Sequence, residues 1–396
     1  MSEHVQPHHL RQAESLVAEA HRHGGLAPVD LERFWSDQAL ARSRLWSADC
    51  PQLPLGVLMS AECVFDELGV PEDWHALYHQ PAYRADLCRR YNDRSEAIVG
   101  RRLVNEAVPD PALAWPEVKG LHDLFEARQV WHDASYWLQP AADTPAALSA
   151  LLDRVEARLE NLREFMLPPT WEAEKARLRA AGVRPPLYRS QRGPVTFACS
   201  LYGAENLIYL ILDEPALAGR LRDVMLRAIL ARARVLDEEA GFTPATAPRG
   251  WSWADDNCCL LNPEMYEFFG YPILKGVFDT YSPQPGDRRY QHSDSAMGHL
   301  LPILGRLRLN GANFGPTLSV REIRRHLPEA EIHGQLAPFT FSRHEEVGIV
   351  AETLRDYEMS MPERGVIFCT AGSINNGSRL SGLRLIMAAI QRHCHA

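Results

Sequence analysis

Apolar residues recur at spacings of three and four in several stretches of the chain, as on the buried face of a helix. One such stretch predicts a helix over residues 10–20, which Gly24 and Gly25 end. A second covers residues 146–166 (ALSALLDRVEARLENLREFM and its flanks) and ends before Pro168. A third predicts a long helix over residues 216–240. These helices indicate a folded protein with a substantial buried core.

Short apolar runs alternate with helical patterns through the C-terminal half. They predict strands over residues 194–201, 250–255, 289–293, 312–315, 331–335 and 365–370, and an earlier run over 53–60 (LPLGVLMS) predicts a first strand. Several runs are apolar on both faces, which is typical of a parallel sheet covered by helices. Because the units repeat regularly and no GxGxxG motif follows the first strand, the pattern favours a closed (β/α)8 barrel over a doubly wound sheet.

Length and composition limit the domain organisation. The chain has 396 residues, of which 46% are hydrophobic and 23% charged, so global disorder is excluded. This length suits one barrel or two medium domains. We predict an N-terminal helical extension over residues 1–50 and the barrel over residues 51–396.

Charge and cysteine usage predict the surroundings of the protein. The net charge of −9 disfavours nucleic-acid binding, and no apolar run approaches the ~20 residues of a membrane span. The N-terminus lacks the apolar run of a secretory signal, and the eight cysteines form no CxxC pair, which is typical of reduced thiols. We therefore expect a cytoplasmic protein that acts on a small molecule, without a nucleic-acid or membrane partner.

Polar residues follow several predicted strands. A barrel gathers such residues at one mouth, because the carboxyl ends of all its strands lie there. The residues in question are Glu62, Arg192, Tyr202, Asp255, Asp256, His292, Asp294, His333, Gln335, Cys369 and Asn375. Their convergence predicts an active-site pocket.

His292 and Asp294 lie two residues apart at a predicted strand end, so strand alternation sends both side chains to the same side. A histidine and a carboxylate there can share a metal ion, with Cys369 as a thiolate from a later strand. In the alternative, Asp294 orients His292 by hydrogen bonding or caps the next helix. Cys369 is then a buried packing residue.

Three residues are candidates for proton transfer. Asp255 and Asp256 follow the tryptophans of WSWADDN, and either could be a general base or an anchor for a cationic substrate. The alternative is that one caps the helix that begins near Asn262 while the other is solvated. His333 either lines the mouth or is a hydrogen-bonded core histidine.

The remaining candidates are predicted to bind substrate: Glu62, Arg192, Tyr202, Gln335 and Asn375. Glu62 could instead simply begin the helix of AECVFDEL. Arg192 precedes the strand predicted over 194–201, which favours the opposite end of the barrel or a loop.

A series of short motifs resembles the uroporphyrinogen decarboxylase superfamily in order and spacing. They are GPVTFA at 193–198, GAENL at 203–207, DEP at 213–215, LNPEMYEF at 261–268, HGQLAP at 333–338 and GSINN at 372–376. The similarity covers residues 187–392 and, more weakly, 53–130. The resemblance implies a (β/α)8 barrel with an N-terminal helical extension and allows a homodimer. The superfamily includes porphyrinogen decarboxylases and zinc-dependent corrinoid methyltransferases.

The decarboxylase branch fits the residues poorly. Its Met-Arg-Gln-Ala-Gly-Arg stretch, whose arginines hold substrate carboxylates, is matched only by Arg11-Gln12-Ala13-Glu14, without the second arginine. Its site tyrosine falls on Ser200, its serine near Asp256 and its late histidine near Gly372. A carboxylate beside a polycarboxylate substrate is repulsive.

The methyltransferase branch carries His-x-Cys and a later cysteine as metal ligands. Here His292 matches the histidine, Asp294 replaces the cysteine, and the later position falls near Gly372, three residues after Cys369. The resemblance thus implies zinc or another divalent metal that activates a thiol or similar acceptor. Asp256 would orient the acceptor or take its proton, and a methylcorrinoid or a corrinoid protein would be the donor or partner.

Two alternatives stay open at this point. One is a cofactor-free decarboxylase of a porphyrinogen or a smaller carboxylic acid, for which Arg192 and His333 would hold carboxylates and donate a proton. The other is a non-catalytic barrel that binds a small ligand or a corrinoid partner.

Overall fold

The computed structural model describes residues 4–185, 188–189 and 191–395. Its strands are β1 (Arg128–His132), β2 (Ser135–Gln139), β3 (Gln191–Arg192), β4 (Trp251–Ala254), β5 (Arg289–Ser293), β6 (Gly311–Phe314), β7 (Glu331–Leu336) and β8 (Val366–Thr370). The first nine helices are α1 (Pro7–Arg22), α2 (Leu31–Ser43), α3 (Val64–Leu68), α4 (Trp74–His79), α5 (Pro81–Val99), α6 (Leu121–Leu124), α7 (Pro145–Leu159), α8 (Leu162–Met166) and α9 (Trp171–Ala180). The remaining ten are α10 (Pro194–Tyr202), α11 (Ala204–Asp213), α12 (Pro215–Glu239), α13 (Pro263–Phe268), α14 (Gly270–Tyr281), α15 (Leu301–Gly305), α16 (Val320–His326), α17 (Pro338–Ser342), α18 (Glu346–Ser360) and α19 (Leu380–His393). Single 3-10 turns cover Ala61–Cys63, Pro111–Leu113, Asp256–Leu260 and Gly298–Leu300.

The strands and helices alternate as the sequence predicts for an α/β fold. Strands β3 to β8 form a six-stranded sheet whose order follows the chain, and β1 and β2 form a separate antiparallel hairpin. Closure of the sheet into a barrel, and the predicted boundary at residue 50, stay predictions. Within the described residues, no single helix is long and apolar enough to cross a membrane; α10 and α11 reach that length and composition only as a pair, and they meet at 101°.

The chain divides into two compact units. The first comprises Met1–Val108, Ser293–Gly298 and Asn310–Ala396, and the second comprises Pro109–His292 and His299–Leu309. In the first unit, β7 and β8 pair in parallel from Ile332↔Val366 to Leu336↔Thr370. Helix α1 packs against α18 and α19 there, and this packing buries the apolar face of α1. The helix predicted over residues 10–20 is therefore confirmed.

In the second unit, β3 pairs in parallel with β4, and β4 with β5. The long helix α12 packs against α7 and α14 with Leu221, Val224 and Met225 fully buried. Its first residue is Pro215, whose fixed φ suits the start of a helix. The helix predicted over 216–240 is confirmed within one residue at each end.

Three predicted elements differ from the structure. Residues 194–201 are not a strand but helix α10: Pro194 occupies its first position, and its apolar residues read as a strand because most of the helix surface is buried. Within the described part of the chain, the run over 53–60 forms one isolated bridge, from Leu55 to Phe368. The helix predicted over 146–166 is broken between α7 and α8, and Asn161 is the capping residue before the first residue of α8.

Candidate functional site

The pleat of the sheet places Arg192 and His292 on one face. Arg192 is registered with Ala254, and Ala254 with His292, across three parallel strands of the second unit. Registered residues in a parallel sheet point to the same side. Arg192 is exposed and is the last residue of β3, so it lies at the carboxyl end of that strand. The expected location at the opposite end of the barrel or in a loop is therefore wrong. The missed signal is that the strand ends before Pro194 instead of beginning there.

Asp255 lies on the opposite face from Ala254 and is fully buried. Its Oδ1 accepts a hydrogen bond of 2.8 Å from the Thr196 amide in the first turn of α10, and its own amide donates 3.0 Å to the His292 carbonyl. Burial raises the pKa of the Asp255 carboxyl to about 6. These contacts make Asp255 a positioning residue, and its assignment as a base stays a prediction that this geometry does not support.

Asp256 begins the 3-10 turn that follows β4 and is half-buried. The next residue, Asn257, donates its amide to Thr196 Oγ1 at 3.0 Å. Thr196 therefore holds the chain on both sides of Asp256, through Asp255 and through Asn257. The backbone of Asp256 is therefore fixed at the carboxyl end of β4.

Asp256, His292 and Asp294 form a group of potential metal ligands. Each offers one ligand atom, and the three atoms lie within 4.8 Å of one another. The arrangement brings together the two ligands expected at 292 and 294 and the acid expected to act beside them. One imidazole nitrogen and two carboxylate oxygens suit zinc and other divalent ions of intermediate or hard character.

Asp294 lies close to Gly315 and Gly372, two glycines that the sequence analysis did not include among the site residues. Its Oδ1 accepts a hydrogen bond of 3.1 Å from the Ser373 amide. A Cβ on Gly372, whose φ is +100°, would lie 2.2 Å from that oxygen, and one on Gly315 would lie 2.4 Å from the Asp294 carbonyl oxygen. The available signal for such close approach was a glycine at the end of the strand predicted over 312–315 and another two residues after the strand predicted over 365–370.

Cys369 lies in a different environment from the expected third ligand. Its thiol is buried, packs with Leu45, Ile367 and Val57, and lies 3.3 Å from the Ile367 carbonyl. Burial raises the pKa of this thiol to about 12, which disfavours the thiolate that binds metal. The described residues that form the donor group do not include it. This geometry supports the packing alternative for Cys369.

Two other candidates have mainly structural contacts. The Gln335 side chain is buried, and its amide donates to the carbonyls of Gly315 and Leu318 at 3.2 and 2.9 Å. Tyr202, at the end of α10, is 3% exposed and belongs to the core. Their predicted substrate contacts gain no support from these positions.

The remaining candidates are accessible. Glu62 is half-buried and accepts a hydrogen bond of 3.3 Å from the Tyr78 hydroxyl in the first unit. Asn375 is half-buried in the loop after β8, where its carbonyl is near the Cys63 thiol. His333 is 23% exposed on β7, and its Nε2 lies 3.8 Å from Glu331 Oε2. The roles predicted for these three residues stay predictions.

A second group of donor atoms joins α1 to α18. His8 and His9 approach one oxygen of Glu358 through their Nε2 atoms, at 2.8 and 2.7 Å. The Gln6 amide donates to Nδ1 of His9 at 3.1 Å, so the proton of the neutral ring is on Nε2. A ligating Nε2 must lack that proton, so this group fits a helix contact rather than a metal site.

Comparison with known proteins agrees with this architecture. The family model described as uroporphyrinogen decarboxylase (URO-D) matches residues 139–393, and the chain belongs to this family. The fold is similar to that of a solved structure of a methyltransferase from Methanosarcina mazei, with a TM-score of 0.51 and 17% sequence identity, covering 89% of this chain and 96% of that one. No curated protein sequence matches the chain. The family predicted from the ordered motifs is confirmed.

Proposed function

We propose that this enzyme of the uroporphyrinogen decarboxylase superfamily is a metal-dependent methyltransferase. Its acceptor is a thiol or a similar nucleophile, and its donor is a methylcorrinoid, free or carried by a partner protein. The observation that carries the proposal is the convergence of Asp256, His292 and Asp294 within 4.8 Å. The resemblance of the fold to a methyltransferase supports the same direction.

The donor set fits a resident divalent ion. His292 and Asp294 would hold it, with Asp256 close beside them, and a nitrogen and an oxygen ligand of this kind suit zinc. The ion would lower the pKa of a bound acceptor thiol or hydroxyl and so raise its nucleophilic fraction at neutral pH.

The residues around these donors have separate tasks. Asp256 orients the acceptor and takes its proton, and Arg192, exposed on the same face as His292, holds an anionic group of the substrate. Asp255 acts through the backbone, because it fixes both the start of α10 and the His292 carbonyl. Ser373 restrains Asp294 through its amide.

Metal content measured by elemental analysis tests the proposed donors. The protein purified after growth with zinc should carry about one ion per chain, and His292→Ala and Asp294→Asn should each lose most of it. His8→Ala is the matched control, since it removes a histidine from the group that does not fit a metal. Metal-free wild-type protein, or loss of metal in His8→Ala but not in His292→Ala, would contradict the proposal.

Turnover distinguishes the reaction classes. Incubation with methylcobalamin and a panel of thiols should demethylate the corrinoid, followed by its absorbance change, and chelation should abolish this activity. Asp256→Asn should lower the rate by about 10²-fold or more while metal content is kept. Demethylation that survives chelation would refute metal dependence.

Arg192 favours one second candidate, the cofactor-free decarboxylase, because its exposed guanidinium can hold a substrate carboxylate. That enzyme should convert uroporphyrinogen, or a smaller acid, without metal and lose affinity in Arg192→Ala. Product formation from uroporphyrinogen in the presence of chelator would establish this candidate over the methyltransferase.

A further inference from the structure

A pocket lies in the second unit at the amino-terminal end of β4, whereas Asp256 follows the carboxyl end of that strand. The end of α12, the turn over residues 240–250 and the last turn of α14 enclose about 210 Å³. This volume is smaller than the ~300–1,000 Å³ of drug-sized sites, so the pocket suits a compact ligand.

The floor of the pocket is a buried carboxylate with one uncommitted oxygen. Asp237 is 4% exposed, and its Oδ2 accepts a hydrogen bond of 3.3 Å from Arg189. Oδ1 is buried and has no hydrogen-bond partner among the described residues. Burial raises the pKa of Asp237, and the nearby Arg189 guanidinium and Tyr281 hydroxyl act in the opposite direction. Because an unsatisfied buried oxygen is costly, a ligand that donates to Oδ1 would be favoured.

The rim of the pocket is basic. Arg234 and Arg249 are both exposed and line the opening together with Glu238. No ion pair of either arginine occurs among the residues that the structure describes. Since Arg189 and Asp237 neutralise each other, the lining carries a net charge of about one positive unit, which favours a monoanion.

The walls are held in place without a ligand. In the turn, the Thr243 amide donates to Thr246 Oγ1 at 2.9 Å, and the Ala247 amide to the Thr243 carbonyl at 2.8 Å. Arg189 also donates to the Pro248 carbonyl, which ties the turn to the floor. A preformed pocket of this kind loses little free energy to ordering when it binds.

We propose that this pocket binds a small hydroxylated organic anion. Its carboxylate pairs with Arg234 and Arg249 at the rim, and one of its hydroxyl groups donates a hydrogen bond to Asp237 Oδ1 at the floor. The site does not depend on the proposed methyltransferase activity.

Calorimetric titration with two matched probes tests the proposal. Quinate and cyclohexanecarboxylate share a six-membered ring and one carboxylate, but only quinate carries hydroxyl groups. Quinate should bind about tenfold more tightly or better, as expected for a hydrogen bond to a buried carboxylate. Arg234→Ala and Arg249→Ala should each weaken quinate binding several-fold, and Glu238→Gln should strengthen it.

Two control variants locate the bound quinate. Arg325→Ala removes an exposed arginine that does not line the pocket, and it should leave binding unchanged. Equal affinity for both probes, absence of binding at millimolar concentrations, or insensitivity to the rim variants would overturn the proposal. So would loss of binding in Arg192→Ala, because quinate would then occupy the candidate active site.

Discussion

Gly193 lies where β3 meets α10, and replacement by alanine should disturb the base of the candidate site. An added Cβ would lie 2.0 Å from the Cβ of Asp255 and 2.5 Å from its Cα. The φ of Gly193 is −56°, which alanine adopts freely, so the cost is steric rather than conformational. The two strands cannot simply separate, because the Gly193 amide donates to the Ala254 carbonyl at 2.6 Å.

The cost follows from these distances. Ordinary contact begins near 3.4 Å, so the 2.0 Å approach requires a displacement of about 1.4 Å. Overpacking of a core costs about 1–3 kcal/mol, and the strained backbone hydrogen bond adds about 0.5–1.5 kcal/mol. The reduced entropy of the unfolded chain returns about 0.4–1 kcal/mol. Gly193→Ala should therefore lower the free energy of unfolding by about 2 kcal/mol, within a range of about 0.5–4 kcal/mol.

Urea unfolding of Gly193→Ala and Gly286→Ala side by side measures this effect. Gly286 has no neighbouring atom within 4 Å of an added Cβ and no positive φ, so its substitution should be neutral or stabilise by up to about 1 kcal/mol. A Gly193→Ala variant as stable as the wild type, or an equal loss in both variants, would refute the steric argument.

Three further predictions concern single side chains. Asp255→Ala should destabilise the protein by about 1–3 kcal/mol in urea unfolding. Asp255→Asn should destabilise it clearly less, because the asparagine side chain keeps an oxygen that can accept the hydrogen bond from the Thr196 amide. Equal losses in the two variants would contradict this role of the hydrogen bond. The hydrogen bond from Arg154 is the main reason that the pKa of Glu126 falls to about 2. The ionised carboxylate therefore stabilises the folded state above its ordinary pKa, and this stabilisation is lost as the pH falls from about 4.5 towards 2. Glu126→Gln should accordingly cost about 1 kcal/mol at pH 7 and progressively less in melts at pH 4 and 3, whereas a pH-independent difference would count against the ion pair. Cys369→Ser should leave metal content unchanged and lower stability by about 1–2 kcal/mol, and loss of metal would restore Cys369 as a ligand.

The sequence predicted strands better where turn residues bound them than where the chain is apolar throughout. The strands predicted over 289–293 and 365–370 agree with β5 and β8 within a residue, because polar or glycine-containing turns flank them. The run from Pro194 is apolar and buried on most sides, and periodicity cannot separate a buried helix from a buried strand there. Asp255, which satisfies the first turn of α10, is about sixty residues away in the chain, beyond the reach of any local pattern.

The sequence predicted which residues to consider for the site but not which of them have structural contacts instead. His292 and Asp294 followed from alternation along one strand end. The same alternation separates Asp255 from Asp256, but it can be applied only when the last strand residue, Ala254, is known. The side-chain amide of Gln335 donates to two backbone carbonyls in the turn after β6, and no spacing in the sequence indicates these contacts.

The register that aligns Arg192, Ala254 and His292 also limits the size of a ligand. Adjacent strands lie about 4.8 Å apart, so the backbones of Arg192 and His292 are roughly 10 Å apart along the sheet. Main-chain pairing sets this interval, so exchanges of neighbouring side chains leave it nearly constant. A compound that engages both residues must carry its negative charge only a few bonds from the atom that reacts. Long flexible acids are thereby disfavoured on geometric grounds, before any contact with the loops that surround the strand ends.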